Sequence, residues 1–171
     1  LAPTSSTTAA LVMGDAIAVS LISANNFTSE DFAMSHPSGS LGRRLLTLVS
    51  SIMKSGKDIP MVSKETLLID SLLVMSEKAL GMVLIAENEK LIGIFTDGDL
   101  RRALESNIDF QKLTIGDVMT KDCKSIEPQE PALTAMQMME KYSLNSLPVV
   151  DSSNNIVGAI NMHTLIQAKL F

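Results

Sequence analysis

The first strongly patterned stretch is "AALVMGDAIAVSLISA" at residues 9–24. Its apolar positions fall on nearly every side of a helical wheel, which predicts a helix buried inside a larger assembly. The hydroxyl run "TSSTT" at 4–8 supplies candidate caps for its first N–H groups, and Asn25 and Asn26 supply a stop. "TSED" at 28–31 reads as a capping box on Thr28, opening a short helix to about Met34. A loop follows at 35–40, and Leu41, Leu45 and Leu48 mark one more amphipathic helix. These helices of residues 1–48 cannot bury their apolar faces alone, so they are expected to be displaced, swapped onto a neighbour or poorly packed.

From residue 51 the pattern changes and repeats. "SIMKSG" at 51–56 returns as "DVMTKD" at 117–122, and "GMVLIAENEKLIGIFT" at 81–96 returns as "SLPVVDSSNNIVGAIN" at 146–161. Met53 and Met119 lie 66 positions apart, and Gly93 and Gly158 lie 65 apart. So steady an offset indicates two copies of one unit. Each copy predicts a short extended segment, a helix (67–78, 132–142), an apolar strand (82–86, 147–151) and a polar turn. A second strand (91–95, 156–160) and a closing helix from about 97 or 162 complete each copy. The fold class is therefore α/β (α+β), with two pseudo-twofold-related units packing their sheets face to face over one shared core.

Composition narrows the function. The 171 residues are 46% apolar with a net charge of −5 and no basic block, which argues against nucleic acid as a partner. One cysteine, Cys123, excludes an internal disulfide, fits a reducing compartment and reads as structural. No signal peptide and no apolar run of about 18 residues are evident, since Gly14, Asp15 and Ser20 interrupt the best candidate. A cytoplasmic protein is expected. The eleven methionines read mostly as core filler. Asp15 inside an apolar helix is expected to be a partnered carboxylate. The chain opens without an initiator methionine and runs almost directly into an apolar helix, which predicts a fragment of a longer protein.

The repeat resembles a tandem pair of CBS modules, on the "IM" and "VM" openings, the helix–strand–turn–strand order and "GIFTDGDL" at 93–100. The resemblance implies that Thr96 and Asp99 form a nucleotide site, with the carboxylate accepting bonds from ribose hydroxyls. The residues alone leave a second reading open, a plain capping box with Thr96 as cap and Asp99 three residues on. In the second copy Asn161 and Thr164 occupy these positions, without a carboxylate. His163 reads as a surface or cap residue, and Arg101 and Arg102 as a solvated face or a phosphate clasp.

The stretches "LAPTSSTTAALVMGDAIAVSL" and "FTSEDFAMSHPSGSLGRRLL", placed before such a pair, resemble the arabinose-5-phosphate isomerase family. There a sugar isomerase (SIS) domain precedes two CBS modules. The resemblance implies that residues 1–48 are the end of an SIS domain, followed by CBS modules at 52–110 and 115–171. It implies an aldose–ketose shift between ribulose 5-phosphate and arabinose 5-phosphate through an enediol, needing no metal or organic cofactor, in a pathway to lipopolysaccharide. The family's catalytic histidine corresponds to His36, whose imidazole gives and takes protons near neutrality. Ser38 stands where the family commonly has glycine. Ser5, Ser6 and Thr7 are either substrate-binding hydroxyls or caps, and Arg43 and Arg44 either support the loop or form exposed salt bridges. With most of an active site outside this chain, the chain alone is expected to be inactive. The expected partners are a sugar phosphate, a nucleotide or nucleotide-sugar in the CBS cleft, and further copies of the chain, a dimer through the CBS pair within a tetramer. Two alternatives stay open: a nucleotide sensor on another sugar-phosphate isomerase, and a pure oligomerisation scaffold.

Overall fold

A computed structural model of the chain describes residues 2–36, 40–105 and 109–170. It divides into two compact units, Leu1–Leu46 and Thr47–Phe171.

The first unit is helical. Helix α1 spans Thr4–Ala24, and the described part of the unit continues with α2 (Ser29–Ser35) and α3 (Ser40–Leu46). Helix α1 starts five residues earlier than its apolar pattern predicts, because the hydroxyl run joins it instead of capping it. Ser6 and Thr7 donate to the Pro3 carbonyl at 3.0 Å, and Thr8 donates to the Thr4 carbonyl at 2.8 Å. Pro3 takes the cap position, where its missing N–H costs nothing. Asn25 and Asn26 do stop the helix, Asn26 with φ of 49°. No α1 residue is buried, so its apolar side chains stand unpartnered, in line with the expected poor packing. Asp15 is exposed and has no partner among the described residues, which corrects the expected pairing. Gly14, Asp15 and Ser20 interrupt the apolar string without interrupting the helix. By length and composition alone α1 is apolar enough to cross a membrane, with a mean hydropathy of 1.6. Helix α2 opens on the predicted box: Asp31 accepts from the Thr28 N–H and hydroxyl, both at 2.8 Å. It packs on α3, where the small residues Ala33 and Gly42 are buried. Leu48 lies beyond α3 and instead caps the next helix. Arg44 is half-buried and forms no ion pair among the described residues, and the side chain of Arg43 lies outside the described set.

The second unit holds the repeat. Its first copy runs α4 (Val49–Ile52), a 3-10 turn, β1 (Met61–Ser63), α5 (Leu68–Lys78), β2 (Met82–Glu87), β3 (Lys90–Thr96) and α6 (Asp97–Glu105). The second runs α7 (Ile115–Val118), α8 (Ala132–Tyr142), β4 (Ser146–Val150), β5 (Ile156–Asn161) and α9 (Met162–Gln167). Strand β1 pairs parallel with β2, and β2 pairs antiparallel with β3. In the second copy the parallel strand shrinks to one bridge, Ile126 to Val149, beside the β4–β5 hairpin. The buried faces of α5 (Leu68, Ser71, Met75) and α8 (Ala132, Ala135, Met139) match at an offset of 64. The strands match at 65 and the openings at 66, so the register drifts by single residues within the connections.

The copies do not close over one core, as the pattern suggests. They form three. Leu68, Met75, Val83, Ile85 and Phe95 of the first copy pack with Ile115 of the second. Ala132, Ala135, Met139, Leu147, Val149, Ile160 and Leu165 of the second pack with Val49 of the first. A third cluster joins Leu80, Met82, Leu84 and Leu91 to Val150 and Ala159. Each copy therefore lends its opening turn to the other, and the boundaries drawn at 52 and 115 do not coincide with the cores. Hydrogen bonds fix the exchange. Val49 N–H donates to Glu130 O at 2.9 Å, and Lys54 and Ala159 bond reciprocally at 2.8 and 3.0 Å. Ile115 N–H donates to Thr66 O at 2.8 Å, and Thr120 and Ile94 bond reciprocally at 2.8 and 2.9 Å.

The repeated glycines are where the borrowed turns touch down. Gly93 lies inside β3, and a Cβ there would sit 2.7 Å from Met119 Sδ and 3.0 Å from Thr120 O. At Gly158 a Cβ would collide with Met53 Sδ and lie 2.9 Å from Lys54 O. Both neighbours include backbone, which cannot yield cheaply. Gly93→Ala and Gly158→Ala are each expected to cost about 1–3 kcal/mol, as overpacking does. Urea unfolding should register this loss, with Met53→Ala restoring part of it in the Gly158→Ala background and none in the Gly93→Ala background.

Candidate functional site

The exchanged segment 114–120 lays Thr120 beside the start of α6. A cleft of about 410 Å³ opens there, a size that suits a small ligand. Gly81, Thr96, Asp97 and Arg102 of the first copy line one part of it, and Asp122, Cys123, Lys124 and Asn145 line another.

Thr96 and Asp99 meet as the sequence predicts, in the capping geometry. Asp99 Oδ2 accepts from the Thr96 N–H at 2.8 Å and from its hydroxyl at 2.6 Å, while the Asp99 N–H reaches back to Thr96 Oγ1 at 3.3 Å. The same Thr-x-x-Asp arrangement occurs at Thr28–Asp31 and at Thr114–Asp117. The motif by itself is therefore a helix start. Burial and extra donors set Asp99 apart: it is 9% exposed, and its Oδ1 accepts from Arg102 Nη2 at 2.5 Å and from the Thr120 hydroxyl at 3.0 Å. Burial pushes the Asp99 carboxyl up, but the bonds from Thr96, Arg102 and Thr120 together outweigh it and hold the group below the ordinary carboxylate value.

In the second copy the same corner is neutral and its polarity is reversed. Asn161 Oδ1 accepts from the Thr164 N–H at 3.0 Å and from its hydroxyl at 2.8 Å. His163 is exposed and bonds to Gln167 at 2.9 Å, as a surface residue would. Arg101 and Arg102 are both exposed, as a solvated face predicts, and Arg102 from that face also pairs with Asp99. Cys123 is half-buried against the shared core, and burial raises its thiol pKa, which fits an inert structural residue. Thr120, Lys124 and Asp97 went unnoticed in the sequence. The usable signal was the matched spacing of the two glycines and the two methionines, which marks where one copy crosses the other.

His36 ends α2. Its N–H donates to the carbonyls of Phe32 at 3.0 Å and Ala33 at 3.2 Å, and its ring lies 4.9 Å from the Phe32 ring. Its side chain is exposed. The rest of the loop, Pro37, Ser38 and Gly39, lies outside the described residues, and with it the comparison at Ser38. No hydrogen bond joins His36 to Ser5, Ser6 or Thr7 among the described residues. The hydroxyls of Ser6 and Thr7 are engaged with α1 carbonyls, and the space beside Ser5 is lined by α1 alone. Among the described residues no group of three or more His, Cys, Asp or Glu side chains is placed to hold a metal.

Comparison with known proteins matches the CBS domain family to residues 49–106 and 115–170. An arabinose 5-phosphate isomerase of Francisella tularensis is 51% identical over 170 residues, covering 99% of this chain and 52% of that protein. One of Pseudomonas aeruginosa is 50% identical over 169 residues, covering 98% of this chain and 52% of that protein. The chain thus spans about half the length of these curated relatives. Among solved structures, the CBS domain pair of protein MJ0100, in complex with 5′-methylthioadenosine and S-adenosyl-L-methionine, superposes with a TM-score of 0.62 at 25% identity. That match covers 71% of this chain and 98% of the other. CBSX2 shares the fold at 22% identity with a TM-score of 0.61, over 72% of this chain and 96% of its own.

The Asp99 carboxyl is depressed in the fold, so its stabilisation is present above the unfolded carboxylate pKa of about 3.9 and is lost as pH falls through the folded value. Asp99→Asn is expected to cost roughly 2 kcal/mol at pH 7, the scale of hydrogen bonds to a charged group. Chemical denaturation of both proteins from pH 7 down should show that gap narrowing below about pH 4.

Proposed function

The chain belongs to the CBS-domain family, and on that premise we propose that it is part of an arabinose 5-phosphate isomerase in which the CBS pair regulates or assembles the enzyme. The observation that carries this reading is identity of about half across 99% of the chain, including the helices before the repeat. A CBS pair alone would align only from residue 49 onward.

In this reading the reaction moves a carbonyl between C1 and C2 of a five-carbon sugar phosphate. A base removes the proton on the carbon beside the carbonyl, an enediol forms, and a proton returns to the neighbouring carbon. His36 serves as one proton-transfer group. An exposed imidazole at a helix end, with its backbone fixed by two carbonyl bonds and its ring braced on Phe32, is free to face a substrate brought by the rest of the enzyme. Of the candidate substrate hydroxyls Ser5, Ser6 and Thr7, the last two bind substrate only if they turn from the Pro3 and Thr4 carbonyls they now meet. The relatives are about twice as long, so the remaining machinery belongs to the other half and the chain alone is inactive. The reading brings with it a cytoplasmic homo-oligomer whose product feeds the sugar acid of lipopolysaccharide.

The cleft at Asp99 takes a nucleotide or nucleotide-sugar that tunes the isomerase. A volume of about 410 Å³ supports this, as do Arg102 and Lys124 on its walls and the adenosine ligands in the MJ0100 pair. The second copy, with Asn161 and Thr164 in place of the capping pair, offers no carboxylate to a ribose, so one ligand per chain is expected.

Assay of the full-length isomerase on ribulose 5-phosphate tests the catalytic assignment. His36→Ala should lower kcat by roughly 10²–10⁴-fold with the fold intact, the range for a lost acid–base group. An unchanged rate removes His36 from the reaction.

A further inference from the structure

We infer that Arg102 is a specificity-determining residue that closes Asp99 to ribose until an anionic group draws its guanidinium away, so that the cleft selects nucleotides over the corresponding nucleosides. This rests on the nucleotide reading of the cleft given above.

A carboxylate offers about four lone-pair positions. All four on Asp99 are taken, by the Thr96 N–H, the Thr96 hydroxyl, the Thr120 hydroxyl and Arg102. The cleft wall shows the consequence. Thr96, Thr120 and Arg102 line it, and Asp99, which they cover, does not. A ribose diol reaches the carboxylate only if one of these donors yields.

The donors differ in what holds them. Thr96 gives both of its bonds within the cap that starts α6. Thr120 is pinned by its reciprocal backbone pairing with Ile94. Arg102 reaches Asp99 with a side chain that is 70% exposed, on a long stem with many rotamers. It is the donor that can swing.

Charge decides what moves it. While Arg102 is paired to Asp99, the remaining charged groups on the cleft wall are Lys124 against Asp97 and Asp122, a poor setting for an anion. A phosphate group therefore needs Arg102 turned into the cleft, where the planar guanidinium can take two phosphate oxygens. The same turn vacates one position on Asp99 Oδ1 for a ribose hydroxyl. A nucleoside brings the diol and nothing that competes for Arg102.

Titration calorimetry of the 171-residue chain with AMP, adenosine, CMP and cytidine tests this. For whichever base binds, the monophosphate is expected to bind at least about tenfold tighter than its nucleoside, the scale of one charge-assisted contact. Arg102→Ala should bring that ratio to about threefold or less, from both sides: a weaker monophosphate and a stronger nucleoside. The exposed neighbour variant Arg101→Ala should keep the wild-type ratio, and thermal unfolding should confirm that both variants fold. A wild-type ratio retained in Arg102→Ala overturns the inference while leaving the nucleotide reading standing. An absence of heat with all four probes overturns the nucleotide reading and this inference with it.

Discussion

The fold of the repeat depends on two close crossings of backbone, made possible by the absence of a side chain at Gly93 and Gly158. Over each of them runs a turn borrowed from the other copy, with Met119 and Met53 filling the space that a Cβ would occupy. The reciprocal hydrogen bonds of Lys54 with Ala159 and of Thr120 with Ile94 are possible only at that separation. Val49 and Ile115, both fully buried, are the apolar anchors of the two borrowed turns. Burying a residue of that size contributes about 1.5–3 kcal/mol, and each does so in the core of the copy it does not belong to by sequence. Neither copy owns a complete core, and the exchange links them in addition to the third cluster, in which Leu80, Met82, Leu84 and Leu91 meet Val150 and Ala159.

That exchange also builds the cleft. Thr120 comes to Asp99 only because segment 114–120 crosses β3, and the residues just after it, Asp122 to Lys124, form another stretch of wall. The three Thr-x-x-Asp corners of the chain make the point by comparison. At Asp31 and Asp117 the bond set ends with the capping threonine, and backbone and side-chain bonds from Thr28 and Thr114 hold these exposed carboxylates below their ordinary value. Only at Asp99 does tertiary structure add two donors and remove water. A local motif starts a helix, and its surroundings decide whether the carboxylate at its head is available for anything else.

Much of this was legible in the sequence. Apolar runs bounded by polar turns placed the four hairpin strands, and helical spacing placed α5 and α8, each to within a residue or two. Strands β2 and β4 are continuous apolar runs because nearly all of their residues are buried, while α5 and α8 bury one face. The offset between copies announced the duplication. The partner of each opening turn was not legible, since "SIMKSG" packs equally well, as far as local pattern goes, on its own copy or on the other. Nor was the fate of Asp15, where the expectation of a partner assumed that helix α1 is enclosed. The hydroxyl run before α1 misled for a related reason: serine and threonine satisfy a helix end from outside or bond back to its carbonyls from inside, and sequence does not separate the two.

The asymmetry between the copies follows from the same economy of donors. Asn161 keeps the helix-start geometry of Thr96 while carrying the acceptor itself, and Thr164 supplies the N–H and the hydroxyl. The neutral cap starts α9 without a carboxylate, but only the charged one also accepts from the N–H of its capping residue. Retaining a carboxylate at position 99 means burying a charge, which is costly unless it is compensated. The structure compensates it with two threonines and an arginine drawn from both sides of the exchange. The neutral corner shows what a purely structural solution looks like in this fold, and the charged corner departs from it beside the cleft that Thr96, Thr120 and Arg102 line.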